Sequence, residues 1–317
     1  MSVELRTLGR TNLNVSILGL GAGGNSRLGL ATGQTEAHAA EVVSAALDLG
    51  ITLIDTAHVY HTERAIGLAL QGRRREQVVL SSKSPYRDAQ GQLLTPQAFA
   101  GNLDTSLREL GVEMIDLYFI HGLDLASYAA CRERLLPVLE RARQAGKIRL
   151  IGVTEAFERD TRHEMLQRAV QDDWDVLMVG FNLLNPSARE RVLAATRHKG
   201  IATLGMFAVR RALIDETWLR GLLQRLAAEG AIDPALTAAP DLLDALGLSG
   251  VSETFSEAAY RFSAYEPGMD CVLSGTSRAE HLRANLRAVQ RGPLPAATLA
   301  RLQQLFGSVD SISGQVR

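Results

Sequence analysis

The chain has 317 residues, about twice the ~150-residue domain prior but within reach of a single α/β barrel, and too long for a small stapled scaffold. Lys and Arg number 34 against 35 Asp and Glu, a net charge of −1, which leaves no basic field to gather nucleic acid or anionic lipid. Hydrophobic residues at 46% and charged residues at 22% are ordinary globular usage and exclude a disordered chain.

Cys131 and Cys271 are the only cysteines, and neither belongs to a CxxC pair, so neither a disulfide framework nor a thiolate zinc site is expected. The start, MSVELRTLGR, has charges from Glu4 onward and no apolar core. No run approaches the ~18 apolar residues of a membrane span. A soluble, cytoplasmic protein is expected, with no membrane or nucleic-acid partner.

From Val15 onward short apolar runs alternate with segments of helical period, the pattern of βα units. The first run, Val15 to Gly21, precedes a helix in which Val42, Ala45, Ala46 and Leu49 share a face and Gly50 supplies the stop. Ile51 to Asp55 leads to a helix near Glu63 to Leu70. Val78 to Lys83 leads, through a polar turn, to a helix that opens on Thr95-Pro96 and runs to Leu110. Met114 to His121 precedes a helix ending near Ala145, Ile148 to Thr154 one near Arg162 to Gln171, and Asp175 to Phe181 one from Pro186 to Lys199. Ile201 to Phe207 enters a long Leu- and Ala-rich segment, and Asp270 to Gly275 precedes a helix from about Ala279 to Val289.

Eight near-continuous apolar strands predict a parallel sheet covered outside and packed within, an α/β fold closed as a (β/α)₈ TIM barrel. The reading is one domain over residues 1–317. Within it, 1–14 form an N-terminal β-hairpin turning at Gly9-Arg10 and plugging one end. An extra helical insert, 210–256, follows strand seven on the active face, and 294–317 hold a terminal helix near Pro295 to Phe306 and a loose tail, SISGQVR. An open doubly wound sheet is the competitor. Gly19, Gly21, Gly23 and Gly24 fit only fragments of GxGxxG, and no acidic residue closes a second strand at the offset of ~20 residues.

In such a barrel, catalytic groups come from the carboxyl ends of strands. Those ends carry Asp55, with Tyr60 five residues beyond, then Lys83, His121 and Thr154-Glu155. Asp55 and Lys83 alone could be a structural ion pair. Together with Tyr60 and His121 they suit carbonyl reduction. A phenol with pKa about 10 is a poor acid, and an adjacent ammonium, here Lys83, is expected to lower that value. Asp55 would hold Lys83, while His121 would donate to a carbonyl or relay a proton.

His58, His61 and Glu63 form HxxHxE, which invites a metal-dependent barrel hydrolase. No second ligand cluster accompanies it, so no metal is expected and both imidazoles read as pocket lining. Met206 and Phe207 end strand seven, and Trp218 stands in the insert where it could cap an apolar substrate.

DTAHVY (Asp55 to Tyr60), SSK ending at Lys83, FIH ending at His121, GKIRLIGVT, FNLLNP and SGTSRAEHLRANL occur in order at strand ends. Together they resemble the aldo-keto reductase superfamily over nearly the whole chain. The resemblance implies a catalytic tetrad of Asp55, Tyr60, Lys83 and His121, in which the tyrosine protonates the carbonyl oxygen as hydride leaves nicotinamide C4. The reverse reaction oxidises an alcohol or a sugar hemiacetal. It further implies an extended nicotinamide cofactor, NADP(H) preferred on account of Arg278 and NAD(H) possible. Gly275, Ser277, Arg278, His281 and Asn285 would take its phosphates and adenosine at the eighth helix. Thr154 and Met206 would lie at the nicotinamide.

Three positions depart from the family pattern. His61 follows the tyrosine where glycine is usual, Glu155 replaces an asparagine, and Met178 replaces a glutamine that holds the carboxamide. They keep open a second class of function, a nicotinamide-binding sensor or regulatory subunit with little turnover. The pattern names no substrate beyond a small carbonyl or alcohol and sets no oligomeric state.

Overall fold

A computed structural model describes residues 3–315. Strands β1 (Leu5–Thr7) and β2 (Asn14–Ser16) pair antiparallel as a hairpin. Eight further strands run parallel and close on themselves: β3 (Leu18–Gly21), β4 (Leu53–Asp55), β5 (Val79–Pro85), β6 (Ile115–Leu123), β7 (Ile148–Glu155), β8 (Val176–Gly180), β9 (Ala202–Met206) and β10 (Cys271–Ser274), with β10 bonded to both β9 and β3. The expected (β/α)₈ barrel is therefore present.

The hairpin stops the amino-terminal end of this barrel. Leu8 and Val15, both fully buried, pack with Leu53, Val79, Val176, Ala202 and Cys271, the first residues of their strands. The turn needs glycine at Gly9, whose φ is +47° and where a β-carbon would come 2.5 Å from the Ala202 nitrogen. One sequence boundary is corrected here. The apolar run from Val15 to Gly21 is not one strand, because Val15 and Ser16 belong to the hairpin. Ser16 bonds sideways through its nitrogen and hydroxyl to Thr52, which interrupts the ladder before Leu18.

Helices α1 (Glu36–Asp48), α2 (Glu63–Leu70) and α3 (Pro96–Leu110) follow the first three barrel strands. Thr35 and Thr95 cap α1 and α3 by accepting from the nitrogens of His38 and Ala98, and Gly111 ends α3 in the left-handed conformation. The single fourth helix read from sequence is instead two, α4 (Leu125–Arg134) and α5 (Leu136–Gln144). Pro137 lacks the N–H that would continue α4 and opens the second helix. After α6 (Glu164–Ala169), the Pro186 to Lys199 helix begins as a wide π-type turn at Arg189–Leu193 and becomes α-helical only in α7 (Ala194–Lys199).

Between β9 and β10 stand α8 (Glu216–Ala228), α9 (Leu242–Ala245) and α10 (Phe255–Ala264). The sequence reading missed α10. Its apolar residues Phe255, Ala258, Ala259 and Phe262 recur at helical spacing, a signal that lies just past the 210–256 bounds read for the insert, and in the fold even Arg261 and Ser263 are buried. Helices α11 (Ala279–Gln290) and α12 (Ala296–Phe306) complete the chain. The tail beyond α12 is not loose within the described residues: Asn182 Nδ2 donates to the Ser313 carbonyl at 3.1 Å and Asn185 Nδ2 to that of Ile312 at 2.8 Å. Among the described residues no helix is long and apolar enough to cross a membrane.

Candidate active site

Asp55 ends β4 and is buried. Its carboxylate receives Lys83 Nζ at 2.7 Å on each oxygen and the Ser81 hydroxyl at 2.6 Å on Oδ1. Lys83 spends its remaining donor on the Thr56 carbonyl at 2.6 Å, so the ammonium is saturated although only 1% exposed. Register places these groups together: Asp55 lies opposite Ser81 on β5, and Lys83 follows two residues later on the same face.

The loop beyond β4 is clamped at both ends. Thr56 N donates to the Ser81 carbonyl, and the hydroxyls of Thr56 and Thr62 meet at 2.7 Å. Between them a 3₁₀ turn, His58–Tyr60, lays the tyrosine ring over Lys83, whose Nζ stands 5.2 Å from the ring centroid. His121, near the end of β6, meets Tyr60 edge to face with its Nε2 3.3 Å from the phenol oxygen. Four residues far apart in sequence are thus assembled at the carboxyl ends of β4, β5 and β6.

The electrostatics correct one expectation. Tyr60 is shifted up, not down, from the ordinary phenol value: burial is the largest influence, and Lys83 pulls against it without prevailing. The hydroxyl therefore keeps its proton. Burial first, and Lys83 second, bring His121 down from 6.5 to about 3, so its imidazole is neutral near pH 7.

Glycine residues after β3 take a role that the sequence reading did not assign. Gly23 lies directly against the Tyr60 ring, where any side chain would intrude. By sequence the cluster Gly19 to Gly24 offers only fragments of a phosphate loop. Its spacing gave no signal for this packing, which arises between strands.

The departures from the family pattern are also resolved. Thr154 Oγ1 accepts from the Gly122 nitrogen at 2.7 Å and so fixes the turn just after His121. Glu155 turns away from the mouth and lies between β7 and α6, accepting from Gly180 N at 2.7 Å and bonding His163 Nδ1 at 2.9 and 3.0 Å. Phe157 stacks on His163 at 5.1 Å. Burial raises the Glu155 carboxyl while His163 opposes the shift. Met178 is buried among the barrel-interior residues, and Met206 is partly buried against the same cluster. His61 is exposed in a left-handed conformation, and Glu63 is buried with Ser82 donating to it at 2.6 Å, so HxxHxE splits. Among the described residues no three His, Cys, Asp or Glu side chains come together as a metal site.

The loop after β10 fits a phosphate-bearing group. Gly275 and Arg278 are exposed and Ser277 is partly so. Arg278 makes no ion pair among the described residues, and no side chain caps α11, which leaves its first-turn N–H groups for an anion. His38 Nε2 meets the Ser277 carbonyl at 2.9 Å and steadies the turn. His281 is exposed on α11, whereas Asn285 Nδ2 is held by the hydroxyls of Ser274 at 2.9 Å and Tyr260 at 3.4 Å.

The closed α/β barrel thus carries a buried Asp–Lys pair beneath a Tyr–His contact at the carboxyl ends of its strands. The family model for "Aldo/keto reductase family" matches residues 17–306, and the chain belongs to that family. It is 26% identical to L-galactose dehydrogenase of Arabidopsis thaliana, over 99% of this chain and 96% of the relative. It is 23% identical to L-glyceraldehyde 3-phosphate reductase of Escherichia coli strain K12, over 83% and 82%. Among solved structures it resembles the aldo-keto reductase AKR11C1 from Bacillus halodurans in its holo form, with a TM-score of 0.72, 25% identity and 96% coverage of both chains. The protein is accordingly an oxidoreductase, of a family that uses nicotinamide cofactors on small carbonyl compounds.

Proposed function

We propose that the protein interconverts an aldehyde or ketone with its alcohol, or a sugar hemiacetal with its oxidised form, using Tyr60 as proton donor and NADP(H) in preference to NAD(H). The observation that carries this reading is the contact between Tyr60 and the neutral His121 imidazole at 3.3 Å, set above the saturated Asp55–Lys83 pair. A nicotinamide bound at the barrel mouth would supply or accept the hydride. A carbonyl oxygen seated between Tyr60 and His121 takes the phenol proton, and Lys83 offsets the phenolate left behind. The upward shift of Tyr60 suits a donor that must stay protonated at rest. Asp55 keeps Lys83 in place beneath the ring.

Arg278, exposed and without an acidic partner among the described residues, supports NADP(H), since a guanidinium can take a 2′-phosphate in bidentate fashion. Glu155 and Met178, neither of which is free for the carboxamide, support the second reading, a sensor that binds the cofactor and turns over little. One experiment separates the two. Tyr60→Phe should bind NADPH as tightly as the parent protein, by fluorescence titration, yet lose at least ~10³-fold in single-turnover NADPH oxidation across an aldehyde and sugar panel. Equal turnover by parent and variant would remove Tyr60 from its role, and no turnover by the parent would favour the sensor.

A further inference from the structure

We propose that Arg27 is a specificity-determining residue that grips an anionic group on the substrate, so that the preferred carbonyl compounds carry a carboxylate or a phosphate. This rests on the reading of Tyr60 as proton donor and adds to it the chemical class of substrate.

The loop Ala22 to Gly33 leaves β3 and passes across Tyr60, with Gly23 seated on the ring. Four residues farther, Arg27 takes φ +47°, and Leu28 and Gly29 follow at +58° and +100°. Two successive non-glycine residues in the left-handed region are disfavoured, and such geometry survives only where the surroundings enforce it. The enforcement is visible. Leu28 is 1% exposed, and the Ser26 carbonyl accepts from the nitrogens of Gly29 and Ala31 at 2.8 and 3.1 Å. The Gly29 carbonyl accepts in turn from the Thr32 hydroxyl at 2.9 Å and from Gln34 N at 3.0 Å. The loop is a rigid frame for a side chain that its own fold does not use.

Arg27 is partly buried, yet among the described residues it forms no ion pair and no hydrogen bond. Arginines elsewhere that are likewise partly covered are matched to carboxylates, as Arg189 is to Glu266 and Arg191 to Asp310. The loop that carries Arg27 leaves the carboxyl end of β3 and lays Gly23 on the Tyr60 ring four residues earlier, which sets this arginine at the reacting end of the barrel; its positive charge is the smallest of the influences on the Tyr60 phenol. Among the described residues, the carboxylates at the end of β4 and at the start of α2 beyond it are engaged by other groups. Asp55 is taken by Lys83, and Glu63 is engaged by Ser82. A half-desolvated fork of five donors lacking an acceptor matches a planar carboxylate or a phosphate.

Matched substrate pairs test this: succinic semialdehyde against butanal for carboxylate, and glyceraldehyde 3-phosphate against glyceraldehyde for phosphate. The NADPH-loaded protein should prefer the charged member of at least one pair by about 10- to 100-fold in kcat/KM, the span of one charge-assisted bidentate contact. Which pair shows the preference identifies the anion. Arg27→Gln should bring that ratio close to unity through KM, and Arg27→Lys should restore part of it. No preference in the parent protein, or an equal loss for both members of a pair, overturns the proposal, as does a raised KM for NADPH with the ratio unchanged. The Tyr60→Phe outcome is independent of that ratio, so failure of the proton-donor reading is recognised separately.

Discussion

Gly23 meets the face of Tyr60 so closely that a β-carbon on it would stand 2.5 Å from Cε2 and 2.7 Å from Cζ. Gly23→Ala must therefore displace the ring from His121. A shift of about 1 Å at a reacting group costs up to ~10²-fold. The expected result is a fall of that order in kcat with NADPH affinity retained, measured by steady-state kinetics and fluorescence titration. A variant with unchanged kcat would show that the ring position tolerates the shift.

Lys83 and Asp55 depend on each other for burial. Lys83→Met leaves the Asp55 carboxylate buried with only the Ser81 hydroxyl, a situation that typically costs about 3–5 kcal/mol. The double variant Asp55→Asn/Lys83→Met should recover much of this in urea unfolding while remaining inactive. Recovery of turnover along with stability would assign the pair a purely structural role.

His121 links acid sensitivity to the site. Its pKa drops from 6.5 to about 3 on folding. Between those values the unfolded chain binds a proton that the folded chain does not, so this contribution is complete above pH 6.5 and is lost as pH falls toward 3. The slope is up to ~1.4 kcal/mol per pH unit. Unfolding free energies of parent and His121→Asn, compared across that window, should converge as the pH drops. Parallel curves would place the acid sensitivity elsewhere.

Glu155 is bound to His163 and Gly180, away from the mouth. Glu155→Gln should accordingly lower the melting temperature by several degrees, through one weakened buried pair, while shifting the KM for NADPH by less than about twofold. A large change in cofactor KM with unaltered melting would put the carboxylate at the nicotinamide after all.

Local pattern made much of the molecule legible. Apolar runs followed by amphipathic segments gave the barrel strands, and α3 opens at Thr95-Pro96 and ends at Leu110 as read. Polar residues at strand ends stood out because parallel strands buried on both faces otherwise carry few of them. What misled was also local. The run from Val15 to Gly21 is nearly all apolar although it spans two strands, and the helical spacing of Phe255, Ala258, Ala259 and Phe262 in α10 falls just past the bounds read for the insert.

The chain's residue order by itself determined the barrel class, the strand ends and the identity of the four residues gathered there, since periodicity and residue type are properties of short segments. Tertiary structure alone decided that Gly23 is a seat for Tyr60, that Glu155 serves His163, that Arg27 stands without a partner among the described residues and that the phenol is shifted upward. Each of these depends on which groups are brought into contact and how far water is excluded from them. Those distances and that burial exist only once segments remote in sequence have packed together.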